Sequence, residues 1–404
     1  MPHISFKDLH LNPSILKAIA QEGYGNPTEI QKKAIPIILE RKDVLACAQT
    51  GTGKTAAFAL PVLQLLEEKN EAGSKNISAL IISPTRELAT QIAESFETYG
   101  KFTSLKSQVV FGGVPVEEQA LNLQSGSDIL IATPGRLLDL LEQGLVSLAQ
   151  IEILILDEAD QMLDLGFIND IRKIINTLPV NRQTLLFSAT ISEEVIELAD
   201  SILKNPVRIE AQSSIGENIK QLAYFVEKKD KPSLLIHILK KKEIKRLLVF
   251  TKTRAGADEL LKVLEKAKVK AAVIHSDKKQ DARQRALNDF KESRIRVLVA
   301  TDIAARGIDV EELKYVINYE LPIHAETYVH RIGRTGRAGG EGTAMSFCEP
   351  EELKYFDAIK ETIKQDIPFA DHPYQLSVKN FTKPAIAGFQ TPVKKVSSQK
   401  KPRR

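Results

Sequence analysis

The sequence predicts two tandem α/β domains, each built on a parallel sheet, and three observations support this class. Short, continuous apolar runs alternate with amphipathic helical patterns along most of the 404 residues, as in parallel sheets covered by helices on both faces. The alternation lapses in a polar stretch at 210–218, which indicates an interdomain linker. Only the first half contains a phosphate-binding loop, so the two halves share an architecture but not a role.

The first half carries continuous apolar runs that predict parallel strands. They are Asp43–Cys47, Ala79–Ile82, Val109–Phe111, Ile129–Ala132, Ile153–Leu156, Thr184–Phe187 and Val207–Ile209. Between the second and third of these, Arg86–Lys101 is a predicted helix, because Leu88, Ile92 and Phe96 fall on one face.

The second half repeats this alternation. Its predicted strands are Leu222–Val226, Leu247–Phe250, Ala271–Ile274, Val297–Ala300, Tyr315–Asn318 and Thr343–Phe347, and Ala255–Ala267 is a predicted helix. Beyond 369 the periodicity ends and the chain becomes basic and poor in apolar residues. We expect a disordered tail at 370–404.

Composition limits the class of protein. Two cysteines, Cys47 and Cys348, provide neither a disulfide framework nor metal-ligand spacing, which favours a reducing, cytoplasmic setting. The N-terminus lacks a signal pattern and no apolar run approaches the ~20 residues of a membrane span, so no membrane partner is expected. The net charge of +4 is compatible with an anionic partner.

Residues 48–55 fit the phosphate-loop pattern G-x-x-x-x-G-K-[ST], except that Ala48 replaces the first glycine. Glycines let the backbone N–H groups point at phosphate, and the following helix N-terminus favours an anion. Lys54 would neutralise the β- and γ-phosphates, and Thr55 would hold Mg²⁺. The alternative is a Gly-rich turn beside a lysine, but the order strand, loop, helix favours a phosphate site. The predicted nucleotide-binding residues of this loop are Ala48, Gln49, Thr50, Gly51, Thr52, Gly53, Lys54 and Thr55.

The run Ile153–Leu156 leads directly into Asp157-Glu158-Ala159-Asp160. A buried strand delivers Asp157 to the carboxyl edge of the sheet, where open α/β sheets bind ligands. We predict that Asp157 holds Mg²⁺ through water and that Glu158 orients and deprotonates the attacking water. A solvated helix start is the alternative, which the paired phosphate loop makes weaker.

The stretch 328–338 contains a histidine, three arginines and two glycines, and we expect it at the start of a helix or in a loop. Developing charge on a γ-phosphate needs a rigid, permanently charged partner. Arg334 and Arg337 are therefore candidate arginine fingers delivered from the second domain, so that hydrolysis would depend on closure of the cleft. On spacing alone, a basic patch that binds a polyanion without catalysis is equally compatible.

Taken together, these motifs resemble those of the DEAD-box RNA helicases of superfamily 2, from Phe6 to about Phe369. The first half contributes 84–88 (Pro-Thr-Arg-Glu-Leu), 112–113 (Gly-Gly), 133–136 (Thr-Pro-Gly-Arg), 157–160 (Asp-Glu-Ala-Asp) and 188–190 (Ser-Ala-Thr). The second half contributes 249–251, Gln280 with Arg283, 300–302, 305–309 and 330–337. The full series in family order strengthens the arginine-finger interpretation, and the chain is most similar to the short bacterial RhlE-like branch.

The resemblance implies two RecA-like parallel-sheet domains followed by a disordered basic tail. The first domain would span 1–209, with an adenine-recognition element at 4–32 and an ATP-binding part at 35–209. A linker at 210–218 would lead to the second domain at 219–369. The implied activity is that of an ATP-dependent RNA helicase, an RNA-dependent ATPase that uses ATP and Mg²⁺.

The resemblance also assigns nucleotide and coupling roles. Gln31 would hydrogen-bond adenine and Phe6 would stack on its ring, although the bare pattern places Phe6 in the core and Gln31 on a helix surface. The implied nucleotide contacts are Phe6, Tyr24, Thr28, Gln31 and, on the ribose, Asp309; the implied coupling residues are Asp160, Ser188, Thr190 and His330. Ser276 follows His275 where glycine is usual, a change expected to alter the local turn.

The resemblance implies that one RNA strand binds across both domains. The protein would contact its phosphates and 2′-OH groups, without sequence preference. The implied contacts are Arg86, Gly113, Thr133, Arg136, Thr251, Gln280, Arg283, Thr301 and Asp302. A tail containing Lys394, Lys395, Lys400, Lys401, Arg403 and Arg404 would tether RNA non-specifically, unless it only aids solubility. Ribosomal or RNA-decay proteins are the expected protein partners.

Three other functions would use some or all of the same motifs. A non-unwinding RNA-binding protein that uses ATP only to clamp onto RNA would carry every one of these motifs. A DNA helicase is disfavoured by the implied contacts to 2′-OH. A phosphate-loop kinase or transport ATPase would leave the histidine and arginines at 330–337 unexplained.

Overall fold

The computed structural model describes residues 4–48, 51–69, 76–210, 218–302, 313–336 and 340–374. Two parallel sheets dominate it, and the chain completes the first before it enters the second. The predicted linker at 210–218 falls almost entirely outside the described residues, as does the predicted tail from 375 onward.

The first sheet has seven strands in the order β3-β4-β2-β5-β6-β1-β7, all parallel. The strands are β1 (Val44–Cys47), β2 (Ala79–Ile82), β3 (Ser107–Val110), β4 (Ile129–Ala132), β5 (Ile153–Leu156), β6 (Gln183–Ser188) and β7 (Val207–Glu210). The helices of this domain are α1 (Pro13–Gln21), α2 (Glu29–Leu39), α3 (Lys54–Glu67), α4 (Arg86–Tyr99), α5 (Val116–Gln124), α6 (Pro134–Glu142), α7 (Ala159–Asp164), α8 (Ile168–Asn176) and α9 (Glu193–Ile202).

The second sheet has six parallel strands in the order β10-β11-β9-β12-β13-β8. The strands are β8 (Ile219–Phe225), β9 (Leu247–Thr251), β10 (Ala271–Ile274), β11 (Val297–Thr301), β12 (Tyr315–Asn318) and β13 (Gly342–Cys348). The described helices are α10 (Lys231–Leu239), α11 (Arg254–Lys266), α12 (Gln280–Lys291), α13 (Ala325–Ile332) and α14 (Leu353–Ile363).

The continuous apolar runs arise because both faces of each sheet are buried. In β5, Ile153 and Ile155 belong to the hydrophobic cluster on one face, whereas Leu154 and Leu156 belong to the cluster on the other. Successive side chains of a strand point to opposite faces, so a strand covered twice has no polar alternation. The two-domain parallel-sheet fold predicted from the sequence is therefore confirmed.

Several strands run further than predicted, because a hydroxyl residue continues the ladder. Ser188 pairs with Cys47, and Thr301 pairs with Thr251. These residues carry polar side chains at the carboxyl edge, so the apolar pattern stops before the backbone pairing does.

The stretch 328–338, predicted at a helix start or in a loop, matches that prediction only at 333–336, and 337–338 lie outside the described residues. Tyr328 to Ile332 forms the end of α13, rather than the start of a helix, and Gly333 begins the turn that follows. Tyr328 is fully buried and Val329 and Ile332 are nearly so, in a cluster with α14. These apolar positions make the segment helical, and the glycines act as its C-terminal stop.

The chain also remains packed on the second domain beyond the predicted boundary at 369. Residues 368–370 add to the outer edge of β8, because Ala223 N–H donates to the Pro368 carbonyl at 2.9 Å and Ala370 N–H donates to the Ala223 carbonyl at 2.7 Å. His372 Nε2 donates to the Phe225 carbonyl at 2.8 Å. Composition alone does not reveal this docking, because the segment is too short to show a period.

Among the described helices, none combines the length and apolar character that crossing a bilayer would require.

Candidate active site

The phosphate loop follows β1 at the carboxyl edge of the first sheet. Ala48 is buried, and its N–H donates to the Ser188 carbonyl at 2.9 Å. Gly51 and Gly53 have φ of +84° and +89°, a conformation that side chains disfavour, and a Cβ on Gly53 would collide with the Gln31 amide. Gln49 and Thr50 lie outside the described residues.

Lys54 is the first residue of α3, and its side chain is buried, with the residue 6% exposed. Its Nζ has no hydrogen-bond partner within the described part of the chain. A buried ammonium requires a compensating anion, and the N-terminus of α3 favours one at the same place. Thr52 and Thr55 are half-buried beside it, so the loop has the character of a phosphate site.

Gln31 joins the predicted adenine-recognition element to this loop. Thr28 is the N-cap of α2, and its N–H donates to Gln31 Oε1 at 2.9 Å. Gln31 Nε2 donates to the Gly53 carbonyl at 3.1 Å, and the residue is 4% exposed rather than on a helix surface. The bare pattern therefore misplaced Gln31, because the capping box and the loop together bury it.

The two predicted aromatic contacts differ in burial. Phe6 is buried in the same hydrophobic cluster as Ile30 and Ile35. Tyr24 is 44% exposed, and its hydroxyl lies 3.2 Å from the Tyr99 hydroxyl at the end of α4. The stacking of Phe6 on adenine stays a prediction.

Asp157 and Glu158 follow β5 at the same edge. Asp157 is fully buried, and burial is the main cause that raises the pKa of its carboxyl to about 6. Lys54 opposes this shift, whereas the Glu158 and Asp160 charges contribute to it. Glu158 has φ 53° and ψ 53°, in the left-handed region that non-glycine residues avoid. Backbone strain of this kind persists where the surrounding structure fixes a functional side chain.

Asp160 connects this segment with the loop after β6. Its Oδ2 accepts hydrogen bonds from the Ala189 N–H at 3.1 Å and from the N–H and hydroxyl of Thr190, both at 3.0 Å. The Ser188 hydroxyl donates to the Thr190 carbonyl at 2.7 Å. The predicted coupling residues of the first domain thus form one hydrogen-bonded unit.

Two contacts bridge the domains at this edge. His330 Nε2 lies 3.8 Å from Asp160 Oδ2. Arg283 Nη2 lies 2.8 Å from Glu87 Oε1, and both side chains are largely buried. Arg334 is buried in the turn after α13, whereas Arg337 and Asp309 lie outside the described residues.

A basic face of the first domain lies beside these contacts. Gly113 has φ +82°, and a Cβ there would collide with the Arg86 guanidinium. Burial lowers the pKa of Arg86, and the charges of Arg283 and Arg136 lower it further, although Glu87 raises it. Three guanidinium groups from two domains therefore lie close together.

Arg136 has a defined role in shaping this face. Its Nη1 donates to Gln119 Oε1 at 2.8 Å and its Nη2 to the Val114 carbonyl at 2.8 Å. These bonds hold the segment that follows Gly113. Thr133 is the buried N-cap of α6 and lies on the same side of the sheet.

In the second domain the predicted contacts lie at strand ends. Thr251 and Thr301 are buried at the ends of β9 and β11. Asp302 pairs with Arg331, whose Nε and Nη2 lie 2.5 and 2.9 Å from its two oxygens. Gln280 begins α12, but the position of its side chain is not described.

Comparison with known proteins covers both domains. The DEAD/DEAH box helicase family matches residues 28–198, and the helicase conserved C-terminal domain matches residues 230–339. The chain is 42% identical over 371 residues to the DEAD-box ATP-dependent RNA helicase RhpA of Helicobacter pylori (strain ATCC 700392 / 26695), covering 91% of this chain and 74% of that protein. The chain belongs to the DEAD-box RNA helicase family.

Among solved structures, S. cerevisiae Dbp5 bound to RNA and ADP BeF3 is 33% identical, and the match covers 91% of this helicase and 95% of that chain with a TM-score of 0.83. A DEAD box protein from Methanococcus jannaschii is 40% identical, covering 91% and 99%, but its TM-score is 0.54. The more identical of these two chains therefore superposes less well on this helicase.

Two residues important to this geometry were not predicted as site residues. Arg331 is 1% exposed and, besides Asp302, binds Asn318 Oδ1 and the Glu320 carbonyl. Glu87 of the first domain forms an ion pair with Arg283 of the second domain. Both lie inside motifs already singled out, but a sequence motif does not reveal which charges face one another after folding.

Proposed function

We propose that this helicase hydrolyses ATP in response to single-stranded RNA. Closure of its cleft would then locally melt short RNA duplexes or remodel RNA–protein complexes. The observation that carries the proposal is the contact of His330 with Asp160 at 3.8 Å. Asp160 also binds the loop of Ser188 and Thr190, so a change in the second domain reaches the carboxylates of the first directly.

ATP would bind at the phosphate loop. Lys54 would neutralise the β- and γ-phosphates, which explains a buried ammonium without a protein partner. Glu158 would hold and deprotonate the attacking water, and Arg334 and Arg337 would stabilise the charge that develops on the γ-phosphate. Gln31, Thr28 and Phe6 would select adenine.

The residues present also fit a magnesium ion. Asp157 is buried near further negative charge, and burial together with those charges raises its pKa. A divalent cation would reverse that effect. Magnesium binds through one or two protein oxygens, waters and substrate phosphates, and Asp157 with the Thr55 hydroxyl provides such a set. When bound, the ion would polarise the phosphate oxygens.

RNA would lie across the basic face that Arg86, Arg136 and Arg283 form. Arginines, buried hydroxyls such as Thr251, and backbone near Gly113 suit phosphate and 2′-OH, so binding would not depend on sequence. The tail would add non-specific affinity that falls with salt. We further propose a cytoplasmic location, ribosomal or RNA-decay partners, and the RhlE-like branch.

The test is steady-state ATP hydrolysis with and without single-stranded RNA. We expect RNA to stimulate the wild type, and Glu158→Gln to abolish hydrolysis while ATP and RNA binding persist. Glu152→Gln, which changes a half-buried carboxylate of the same domain outside the predicted site, is the matched control. Hydrolysis that ignores RNA in the wild type would contradict the gating of the active site by the second domain.

A duplex assay separates unwinding from clamping. If a short RNA duplex is displaced in the presence of ATP, the helicase unwinds RNA. If the protein instead stays locked on RNA without displacement, it acts as a clamp. Equal stimulation by DNA of the same sequence would contradict recognition of the 2′-OH.

A further inference from the structure

A buried histidine lies outside the site described above. His275 follows β10 and is 2% exposed. Its Nε2 lies 3.2 Å from Asp258 Oδ2 on α11, and its Nδ1 is buried without a hydrogen-bond partner in the described part of the chain. A carboxylate only accepts, so His275 Nε2 carries a proton and donates it in a hydrogen bond to Asp258.

Asp258 binds a second group from the same loop. Lys278 Nζ lies 2.9 Å from Asp258 Oδ1, and the Lys278 N–H donates to the His275 carbonyl at 3.1 Å. The Lys278 hydrogen bond lowers the pKa of Asp258, and the His275 hydrogen bond lowers it further. Asp258, His275 and Lys278 together form what we call the Asp258 strap.

The strap ends where α12 begins. Lys279 is the N-cap of α12, and its carbonyl accepts from the Arg283 N–H at 3.1 Å. Arg283 in turn reaches Glu87 of the first domain. The loop that the strap fixes therefore leads directly into the first turn of the helix that carries Arg283.

Ser276 and Asp277 complete this loop. Ser276, which stands where glycine is usual, does not adopt a left-handed conformation. Its expected effect on the local turn stays a prediction. Asp277 makes an ion pair with Arg254, but both side chains are more than half exposed. Exposed pairs contribute little, so the positioning rests on the buried His275 and its hydrogen bond to Asp258, whose side chain is 40% exposed.

We propose that His275 and Asp258 are positioning residues that hold the start of α12, and hence Arg283, ready for RNA. The inference rests on the proposed function and deepens it. Loss of the strap then weakens RNA capture without changing the chemistry once RNA is bound. The affected quantity is the RNA concentration that gives half-maximal stimulation, not the turnover at saturating RNA.

The test compares His275→Leu, which removes the donor, with His275→Gln, whose amide nitrogen can replace Nε2. We expect His275→Leu and Asp258→Ala each to raise the half-maximal RNA concentration about fivefold, as loss of a charge-assisted hydrogen bond would, with saturated turnover unchanged. His275→Gln should remain near the wild type. The double variant should be no worse than either single variant, because the two residues act together.

Asp289→Asn is the matched control, because Asp289 binds Arg294 at the opposite end of α12. It should leave the half-maximal RNA concentration unchanged. The proposal is overturned if folded His275→Leu keeps the wild-type value, if His275→Gln is as impaired as His275→Leu, or if the control shifts equally.

Amide hydrogen exchange of the RNA-free protein provides a readout that does not depend on activity. Exchange at 277–284 should accelerate in His275→Leu and not in His275→Gln. If RNA fails to stimulate hydrolysis by the wild type, the proposed function is wrong. Hydrogen exchange then tests the Asp258 strap independently, and unchanged exchange at 277–284 in His275→Leu would overturn it.

Discussion

At the residue scale, Asp157 is a carboxylate held where its charge is unfavourable. Burial, Glu158 and Asp160 raise the pKa of its carboxyl to about 6, against an ordinary 3.8. The ionised group is therefore a source of instability at neutral pH until a cation compensates it. Functional sites often hold a group in unfavourable surroundings. Substitutions that remove such a group commonly stabilise the protein and abolish its activity.

We predict that Asp157→Asn increases the free energy of unfolding of the nucleotide- and magnesium-free protein, by at most about 3 kcal/mol. The same variant should lose ATP hydrolysis. Urea unfolding at neutral pH in a chelating buffer measures the first effect. A destabilised Asp157→Asn protein would show that the carboxylate is well satisfied without a metal.

Gly113 offers a second test at this scale. Its φ of +82° and the adjacent Arg86 guanidinium leave no room for a side chain. Gly113→Ala should lower the free energy of unfolding by about 1 kcal/mol through backbone strain, and should weaken RNA binding several-fold by displacing Arg86. Fluorescence anisotropy with labelled RNA measures the latter.

Gly25→Ala is the control for this substitution, because a Cβ at Gly25 meets nothing within 4 Å and its φ is not in the left-handed region. Gly25→Ala should bind RNA as the wild type does. Unchanged RNA binding by Gly113→Ala would remove Arg86 from the predicted RNA contacts.

The sequence predicted residue identities in the site better than residue contacts. Lys54, Asp157 and Glu158 follow from motifs whose chemistry dictates the residue type. By contrast, the left-handed backbone of Glu158 and the pairing of Asp302 with Arg331 depend on how separate segments meet after folding. Only the folded chain determines such long-range contacts.

At the scale of elements, strands were predicted well and their polar ends were not. Apolar runs locate strands because both faces are buried, but Ser188, Thr251 and Thr301 extend the ladder with hydroxyl side chains. These are the positions where the sheets present functional groups. Local patterns therefore lose accuracy at the edge that carries the site.

The edge of β8 provides a prediction at this scale. Residues 368–372 bind its outer backbone groups through Ala223 and Phe225. Truncation after Gln365 should lower the free energy of unfolding by roughly 2–4 kcal/mol and promote aggregation, because it exposes an edge strand and removes the apolar contacts of Phe369. Thermal unfolding and light scattering measure both effects.

Truncation after Tyr374 is the matched control. It removes only residues beyond the docked segment, and the truncated protein should have the same melting temperature as the wild type. Equal stability of the two truncated proteins would mean that the docked segment contributes nothing to the second domain.

At the scale of the whole molecule, the two domains meet through His330 with Asp160 and Arg283 with Glu87. The second pair is largely buried, so it should contribute more than an exposed ion pair. Glu87→Gln and Arg283→Gln should each reduce RNA-stimulated hydrolysis, and the double variant should be less impaired than the two single effects combined.

The pair Lys69 with Glu152 lies within the first domain and is the control for that cycle. Variants of this pair should leave RNA-stimulated hydrolysis unchanged, because neither residue lies at the active site or between the domains. Additive effects of Glu87→Gln and Arg283→Gln would indicate that the two side chains do not act on each other during the reaction.

We propose that ATP and RNA together close the cleft between the two domains. The most direct measurement is energy transfer between dyes on Val180→Cys and Lys242→Cys, one in each domain and both exposed, in a chain that also carries Cys47→Ala and Cys348→Ala. We predict a distinct interdomain distance only when a non-hydrolysable ATP analogue and single-stranded RNA are both present. The same distance in all conditions, or a change with the analogue alone, would contradict the claim.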